Sequence, residues 1–202
     1  MIRTISLTSA GPAATEAIAT RLALGLQGGD VVALSGPLGA GKTCFVRGLA
    51  RGLGLDSREV SSPTFVLRQE YVRGTVRLAH LDAYRLGGEE ELESVGWDEL
   101  LAERDAIIAV EWPERIAASL PEARIDVALV HDGPSSRTIV VKTALPGRLH
   151  GLVGGHGRCP TCGRPVPGGA ADFPFCTTRC RDADLHGWLS ERFAISDGGG
   201  DE

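Results

Sequence analysis

The segment Gly36–Thr43 constrains the possible folds of this chain more than any other. Its residues, Gly-Pro-Leu-Gly-Ala-Gly-Lys-Thr, match the pattern G-x-x-x-x-G-K-[ST] at every position. A backbone that curls around phosphate groups with its N–H groups inward needs dihedral angles that, at some positions, only glycine accepts. The apolar run Val31–Gly36 before the loop predicts a buried strand, and the residues from Lys42 onward predict a helix. We therefore expect a strand, a phosphate-binding loop and a helix whose N-terminus faces the phosphates.

Strands and helices alternate along the first 143 residues. Hydrophobic periodicity predicts helices at 13–26, from 42 onward and at 89–104, and strands at 31–36, 65–71, 76–81, 106–110, 125–130 and 138–142. This alternation predicts an α/β fold of the P-loop NTPase class, with a largely parallel central sheet flanked by helices.

The loop and the helix after it supply the first candidate binding residues. Lys42 is one of two lysines among 21 basic residues, and we expect it to reach the β and γ phosphates, while the Thr43 hydroxyl ligates magnesium. The thiol of Cys44 is expected to be a small buried group and not a nucleophile. The predicted nucleotide contacts of this segment are Gly36, Pro37, Leu38, Gly39, Ala40, Gly41, Lys42, Thr43 and Cys44.

Two acids at predicted strand ends are candidate magnesium ligands. Asp82 follows one apolar strand and Glu111 follows another. A carboxylate after four or five apolar residues is typical of the metal site of a P-loop enzyme, although a solvated strand end often carries one as well. The Ser61–Phe65 loop has two interpretations. Its hydroxyls could sense a γ-phosphate, as switch segments do, or they could cap a turn that enters a strand.

These motifs, in this order, resemble the small bacterial ATPases of tRNA threonylcarbamoyladenosine synthesis, the TsaE (YjeE) family. The resemblance covers about residues 5–142. It rests on GPLGAGKT at 36–43, SPTF at 62–65, HLDAYRL at 80–86 and VEWPER at 110–115. Four motifs in register are far more specific than the phosphate-binding loop alone.

The resemblance implies a set of site residues and a partner. It implies that Lys42 and Thr43 hold ATP and Mg²⁺ and that Thr64 belongs to a switch loop. The further implied residues are Asp82 and Glu111 as magnesium and water-positioning acids, Trp112 as an aromatic beside the site, and Arg137 as a nucleotide contact. Pro37 stands where the family usually shows an acid. The family does not modify tRNA itself but docks on a TsaB–TsaD pair, whose cycle its ATP turnover supports.

Four cysteines crowd the last quarter of the chain. Cys159, Cys162, Cys176 and Cys180 follow the spacing C-x2-C-x13-C-x3-C. Two short knuckles bring four thiolates together, and four thiolates complete the tetrahedral shell of a structural zinc site. Free thiols or disulfides are the alternatives, but in a reducing compartment such a cluster favours Zn²⁺. About forty residues with few large apolar groups need a metal of this kind to fold.

This cysteine module resembles the YacG family of small zinc proteins, described as DNA gyrase inhibitors. The resemblance rests on CPTCGRPV and on FPFCTTRC followed by DADLHGWLSE. Residues 158–195 hold five arginines and four acids, and a zinc tetrathiolate carries about −2, so the module has a net charge of about −1. That charge favours a protein partner over direct nucleic-acid binding, and the resemblance implies DNA gyrase as a candidate for that partner.

The sequence as a whole predicts a two-part cytoplasmic protein. No apolar run approaches the roughly 18–20 residues of a membrane helix, the N-terminus lacks a signal-peptide pattern, and the net charge of −5 argues against a general phosphate-backbone binder. The predicted parts are an ATPase domain at 1–143, a Gly-rich flexible linker at 144–157, the zinc module at 158–195 and a disordered tail at 196–202. Two functions follow: an ATPase that is slow without partners, or a gyrase-sequestering zinc module whose nucleotide domain is regulatory.

Overall fold

Seven strands form one sheet in the computed structural model of this chain, which describes residues 2–63, 66–87, 91–153, 156–159, 161–167 and 175–183. The chain folds as two compact units, Met1–Val153 and Gly154–Glu202, and the sheet belongs to the first. Its strands are β1 (Arg3–Ser9), β2 (Val31–Ser35), β3 (Arg68–Arg73), β4 (Val76–Asp82), β5 (Ala106–Glu111), β6 (Ile125–His131) and β7 (Arg137–Thr143).

The order of the strands across the sheet is β1-β7-β6-β2-β5-β4-β3. The central strands β6, β2, β5 and β4 run parallel, and antiparallel pairs close both edges. The predicted α/β fold with a parallel centre is therefore confirmed. Because parallel strands end at the same side of a sheet, the residues that follow β2, β4 and β5 meet at one edge.

Helices cover both faces of the sheet. On one face lie α1 (Pro12–Ala23) and α2 (Lys42–Gly52), and on the other lies α3 (Trp97–Glu103). Strand β5 shows the two-sided burial, since Ile107 packs in the cluster that holds α1 and α2, whereas Ile108 packs with α3. A strand buried on both faces needs a continuous apolar run, which is what made β5 predictable.

Helices α1 and α2 approach each other closely because α2 presents glycine to α1. A Cβ on Gly48 would collide with the carbonyl oxygen of Glu16, and one on Gly52 would lie 2.5 Å from the carbonyl oxygen of Thr20. The Thr20 hydroxyl donates a 2.9 Å hydrogen bond to the Gly48 carbonyl. This contact positions the start of α2, which is also the end of the phosphate-binding loop.

In the N-terminal unit, one strand was not predicted and one predicted helix is interrupted. Strand β1 was not predicted, and it pairs antiparallel with β7 at the edge of the sheet. The predicted helix 89–104 is interrupted, because Gly96 adopts a left-handed φ of 64° between a 3-10 turn at Glu93–Val95 and α3. Leu92, Val95 and Leu100 of this segment are nevertheless buried, and Leu101 is partly buried.

The predicted flexible linker also differs from the structure in its first part. Residues Pro146–Leu149 form a 3-10 turn that continues into the short helix α4 (His150–Val153). We call residues 146–153 the strap, because they pack on α1 and bury Leu149 completely. The Arg21 Nε donates a 2.7 Å hydrogen bond to the Gly151 carbonyl. The sequence pattern missed this packing because its glycines were interpreted as flexibility.

The C-terminal unit has a smaller architecture. Strands β8 (His156–Arg158) and β9 (Pro165–Pro167) form an antiparallel hairpin, and residues 178–183 are helical. The predicted tail at 196–202 lies outside the described residues. In the part of the chain that the structure describes, no helix has the length and apolar character needed to cross a membrane.

Candidate functional site

The predicted phosphate-binding loop has the backbone that its glycines allow. Gly36, Gly39 and Gly41 have φ angles of 143°, 75° and 104°, which L-residues with a side chain rarely adopt. A Cβ on Gly36 would also collide with the carbonyl oxygen of Leu129 on β6. The loop leaves β2 and enters α2 at Lys42, so the N-terminus of α2 closes it. This is the strand–loop–helix arrangement that favours phosphate groups.

Lys42 lies buried over the loop. Its Nζ donates hydrogen bonds to the carbonyl oxygens of Gly36 (2.8 Å) and Pro37 (3.0 Å), and it lies 3.7 Å from the ring centroid of Trp112. Burial lowers the pKa of the Lys42 ammonium, and the nearby carboxylates, Glu111 above all, oppose that shift. The ammonium is thus held by carbonyl dipoles and an aromatic face, contacts that a phosphate group can replace.

The two predicted acids are neighbours. Parallel pairing of β4 with β5 sets Asp82 directly beside Glu111 at the carboxyl ends of both strands. The Thr43 hydroxyl donates a 2.8 Å hydrogen bond to Glu111 Oε1, and the Ser62 hydroxyl donates a 3.1 Å hydrogen bond to Asp82 Oδ2. Two carboxylates and a hydroxyl are the hard oxygen donors that Mg²⁺ prefers, so these side chains fit a magnesium site.

A cavity of about 340 Å³ opens between the loop and the strand ends. Its lining residues are Leu38, Gly39, Gly41, Lys42, Thr43, Cys44, Ser62, Asp82, Tyr84, Glu111 and Trp112. Most of the sequence-predicted site therefore lies around one space. Gly36 and Pro37 are the loop residues whose carbonyls hold Lys42, and Thr64 lies outside the described residues.

An aromatic wall closes one side of this cavity. The rings of Tyr84 and Trp112 lie 5.0 Å apart, and the Arg115 guanidinium lies 5.9 Å from the Tyr84 centroid. Trp112 has a left-handed φ of 58°, which is uncommon for a bulky residue and is found at functional sites. Tyr84 was not predicted as a site residue, although its motif HLDAYRL lies on the strand end that holds Asp82.

Sequence reasoning also missed His80. Its side chain is fully buried on β4, and Nε2 lies 2.9 Å from Glu111 Oε1. Nδ1 has no hydrogen-bond partner among the described residues. The signal was present in the sequence as a histidine within an apolar strand, two residues before a candidate metal ligand, and therefore on the same face of that strand.

Cys44 and Arg137 lie toward the other side of the loop. They line a smaller cavity of about 90 Å³, together with Gly39, Ala40 and residues at the start of α1. The Arg137 guanidinium donates a 3.2 Å hydrogen bond from Nε to the Ala40 carbonyl, so it supports the loop backbone. Burial and the neighbouring Glu16 raise the pKa of the Cys44 thiol to about 12, which keeps it protonated and agrees with its predicted non-nucleophilic role.

The four C-terminal cysteines form a second site. Their Sγ atoms all lie within 4.8 Å of one another, and Cys162 Sγ lies 3.4 Å from Cys176 Sγ. Thiolates that bind one tetrahedral Zn²⁺ at about 2.3 Å lie about 3.8 Å apart, whereas a disulfide needs about 2.05 Å. The predicted ligands Cys159, Cys162, Cys176 and Cys180 are therefore brought together in a spacing that fits zinc and not disulfides.

The backbone around Cys159 stabilises its thiolate. Burial raises the pKa of this thiol, but hydrogen bonds from the backbone N–H groups of Cys176, Cys162 and Thr161 outweigh it and lower the pKa to about 6. Gly163 turns the knuckle with a φ of 72°, and its N–H donates to the Cys159 carbonyl at 2.8 Å. A deprotonated thiol in a tight turn is what a zinc knuckle needs.

Comparison with known proteins assigns the two parts of the chain separately. The family model of the threonylcarbamoyl adenosine biosynthesis protein TsaE matches residues 9–139, and that of the DNA gyrase inhibitor YacG matches residues 157–201. The Bacillus subtilis tRNA threonylcarbamoyladenosine biosynthesis protein TsaE is 41% identical over 128 residues, which are 63% of this chain and 78% of that protein. The protein of the same name from Treponema pallidum is 42% identical over 116 residues, 57% of this chain and 84% of its own length.

A solved structure resembles the same region. The crystal structure of Bacillus subtilis YdiB is 31% identical, covers 71% of this chain and 87% of its own length, and superposes with a TM-score of 0.56. The family match covers more than half of the chain and includes the phosphate-binding loop and both strand-end acids. The chain therefore belongs to the threonylcarbamoyl adenosine biosynthesis protein TsaE family, and it carries a C-terminal zinc module that matches the YacG family.

Proposed function

We propose that this chain binds ATP with Mg²⁺ in the 340 Å³ cavity and hydrolyses it to support threonylcarbamoyl modification of adenosine in tRNA. One observation carries the proposal: Lys42, Thr43, Asp82 and Glu111 all line that cavity at the N-terminus of α2. A buried ammonium, a hydroxyl and two carboxylates around a glycine loop are the groups that phosphoryl transfer uses for positioning and charge stabilisation.

Each of these groups has a proposed role. Lys42 exchanges its contacts with the loop carbonyls for the β and γ phosphates of ATP. Thr43, Asp82 and Glu111 hold the magnesium, which supplies positive charge against the phosphates when it is bound. One of the two acids also orients the attacking water. Thr64 contributes to a switch loop, and Arg137 supports the nucleotide through the loop backbone.

We propose that the partner is a complex of the TsaB–TsaD type and that turnover is slow without it. Family membership supports this partner and a cytoplasmic location, where tRNA modification takes place. The net charge of −5 gives no support to direct nucleic-acid binding.

Nucleotide titrations test the proposal. Full-length protein should bind ATP in the presence of Mg²⁺, and Lys42→Ala should lose that binding by isothermal titration calorimetry. Lys142→Ala, at the other lysine of the chain, is the matched control and should bind as wild type does. Turnover should rise when a TsaB–TsaD complex is added. If Lys42→Ala binds ATP as well as wild type does, the assignment of the loop is wrong.

The zinc module supports a second function. We propose that it binds a protein partner, DNA gyrase being the candidate from the YacG match, and that residues 1–143 and 158–195 act as separate domains. The four-cysteine cluster and the near-neutral charge of the module support this. A pull-down of purified gyrase with zinc-loaded full-length protein tests it. Cys176→Ser should abolish the capture, and Cys44→Ser, outside the module, should leave it unchanged. If zinc-loaded wild type captures no gyrase, gyrase is excluded as this partner.

A further inference from the structure

His80 is a buried polar group to which the proposed chemistry gives no role. Its imidazole is completely shielded from solvent on β4. It makes one hydrogen bond, from Nε2 to Glu111 Oε1 at 2.9 Å, and its Nδ1 has no partner among the described residues. An apolar side chain would avoid the cost of that unpaired nitrogen. The contact with Glu111 is what distinguishes histidine from such a side chain here.

The register of the sheet creates this contact. Strand β4 pairs in parallel with β5 so that His80 lies opposite Ala109, and Asp82 lies opposite Glu111. Side chains two residues apart share a face of the sheet, and diagonal neighbours on that face lie within reach of long side chains. His80 and Asp82 therefore flank Glu111 from one strand, one diagonally and one directly opposite.

Glu111 is held by one of its two oxygens. Oε1 accepts hydrogen bonds from Thr43 Oγ1 at 2.8 Å and from His80 Nε2, whereas Oε2 has no hydrogen-bond partner in the part of the chain that the structure describes. The Thr43 hydroxyl is also the expected magnesium ligand. A hydroxyl that turns to the metal weakens its hold on Glu111, which leaves His80 as the remaining donor to Oε1.

We propose that His80 is a positioning residue for the ATPase reaction. Its Nε2–H holds Oε1 of Glu111 so that Oε2 stays available in the nucleotide cavity, for the metal or for the attacking water. This pairing fixes the imidazole in the tautomer with its proton on Nε2. The proposal rests on the proposed function, because it acts through the role of Glu111 in ATP turnover.

A histidine with a merely structural role would tolerate different substitutions from a positioning histidine. If the imidazole only filled space, leucine would serve as well, since it removes the unpaired Nδ1 and keeps most of the buried volume. A positioning histidine is instead replaced best by glutamine, whose amide N–H can reach the place of Nε2. The two substitutions therefore separate the two roles.

The experiment compares His80→Gln and His80→Leu in the full-length protein. We measure ATP turnover with a TsaB–TsaD complex, the Kd for ATP with Mg²⁺ by calorimetry, and the urea midpoint of unfolding. His80→Leu should lower kcat about 10–100-fold, the usual range for a residue that orients a metal ligand, and leave the ATP Kd within about twofold. His80→Gln should keep kcat within about threefold of wild type. Leu78→Met, on the same face of β4, is the control for a change of shape in the core.

The outcomes separate the proposal from the function on which it rests. If wild type neither binds nor hydrolyses ATP, the proposed function is wrong. If wild type is active but His80→Leu is equally fast, or His80→Gln is as slow as His80→Leu, the role of His80 is overturned alone. Should either variant fail to fold, ¹⁵N-histidine NMR of the wild-type protein decides. It should show His80 with a proton on Nε2, and an Nε2 that carries no proton overturns the proposal.

Discussion

Each of the two units of this chain is stabilised by a different force. The N-terminal unit buries a continuous apolar core on both faces of a seven-stranded sheet. Among the residues described in the C-terminal unit, only Cys159, Val166 and Phe175 are buried. Hydrophobic burial can stabilise the first unit by itself, whereas the described residues of the second bury little apolar area, and we expect that unit to depend on its cysteine cluster. A perturbation of one force should therefore leave the other unit intact.

Removal of zinc should have the largest effect, and it should unfold one unit and not the other. Structural zinc contributes about 10–16 kcal/mol in small metal-dependent modules, so a chelator should unfold the C-terminal unit completely. The N-terminal unit should keep the proposed ATP binding, because none of its described site residues is one of the four cysteines. Two-dimensional NMR of the full-length protein in excess Mg²⁺, with and without a zinc-selective chelator, measures both. Loss of ATP binding on chelation would show that the units are energetically coupled.

A core truncation should have the reciprocal effect. Phe45 on α2 is completely buried in the cluster that α1 shares with the sheet. Phe45→Ala should lower the free energy of unfolding of the N-terminal unit by about 3–5 kcal/mol and leave the zinc content at one ion per chain. Urea unfolding and metal analysis measure these. Val72→Ala, at an exposed position on β3, is the control, and an equal loss of stability there would contradict the explanation.

Substitutions in the strap test whether residues 146–153 pack as part of the first unit. A Cβ on Gly151 would collide with the carbonyl oxygen of Arg21 on α1. Gly151→Ala should therefore cost about 1–3 kcal/mol and expose Leu149, which hydrogen exchange of the strap amides would detect. Gly147→Ala is the matched control, because no atom lies within 4 Å of the Cβ it would add. Equal protection in both variants would mean that the strap is not packed on α1.

Acid should produce the smallest effect, at the outer edge of the sheet. Hydrogen bonds from Arg77 lower the pKa of Glu70 on β3. A lowered folded-state pKa means that this pair stabilises the fold fully above the ordinary glutamate value, and that the contribution is lost as pH falls through the lower value. Glu70→Gln should therefore cost about 0.5–1 kcal/mol at pH 7 and less at pH 3, below the ordinary glutamate pKa. Urea unfolding at both pH values measures this cost, and an equal cost at both would refute the assignment.

Local patterns predicted the α/β fold class and indicated the residues of the candidate site, but they did not predict every element of the fold. The loop from Gly36 to Thr43 and the acids Asp82 and Glu111 could be found because each lies within a short motif with a fixed physical requirement. Strand β1 escaped prediction because its apolar residues, Ile5 and Leu7, are few and only partly buried at a sheet edge. Such a strand is defined by its partner β7 and not by its own composition.

Long-range contacts account for the remaining differences. The sequence places His80 on the same face of its strand as Asp82, but only the β4–β5 register sets it diagonally to Glu111. The break at Gly96 and the packing of the strap follow the same rule. Gly151 of the strap had been interpreted by its flexibility, whereas a neighbour leaves no room for a side chain there. Gly96 had been included in one continuous helix, whereas it forms a left-handed turn.

Gly151 of the strap and Gly25 form a pair of positions at which substitutions should be correlated during evolution. Gly25 lies against the backbone of Arg148, and Gly151 lies against the backbone of Arg21, so a side chain at either position displaces the same segment. Once one of them has been replaced, the packing of the strap on α1 is already lost. The second replacement should therefore lower the free energy of unfolding only slightly. Among descendants of this chain, the two positions should therefore keep glycine together or lose it together. After either glycine has been replaced, the other position is no longer constrained to glycine by this contact.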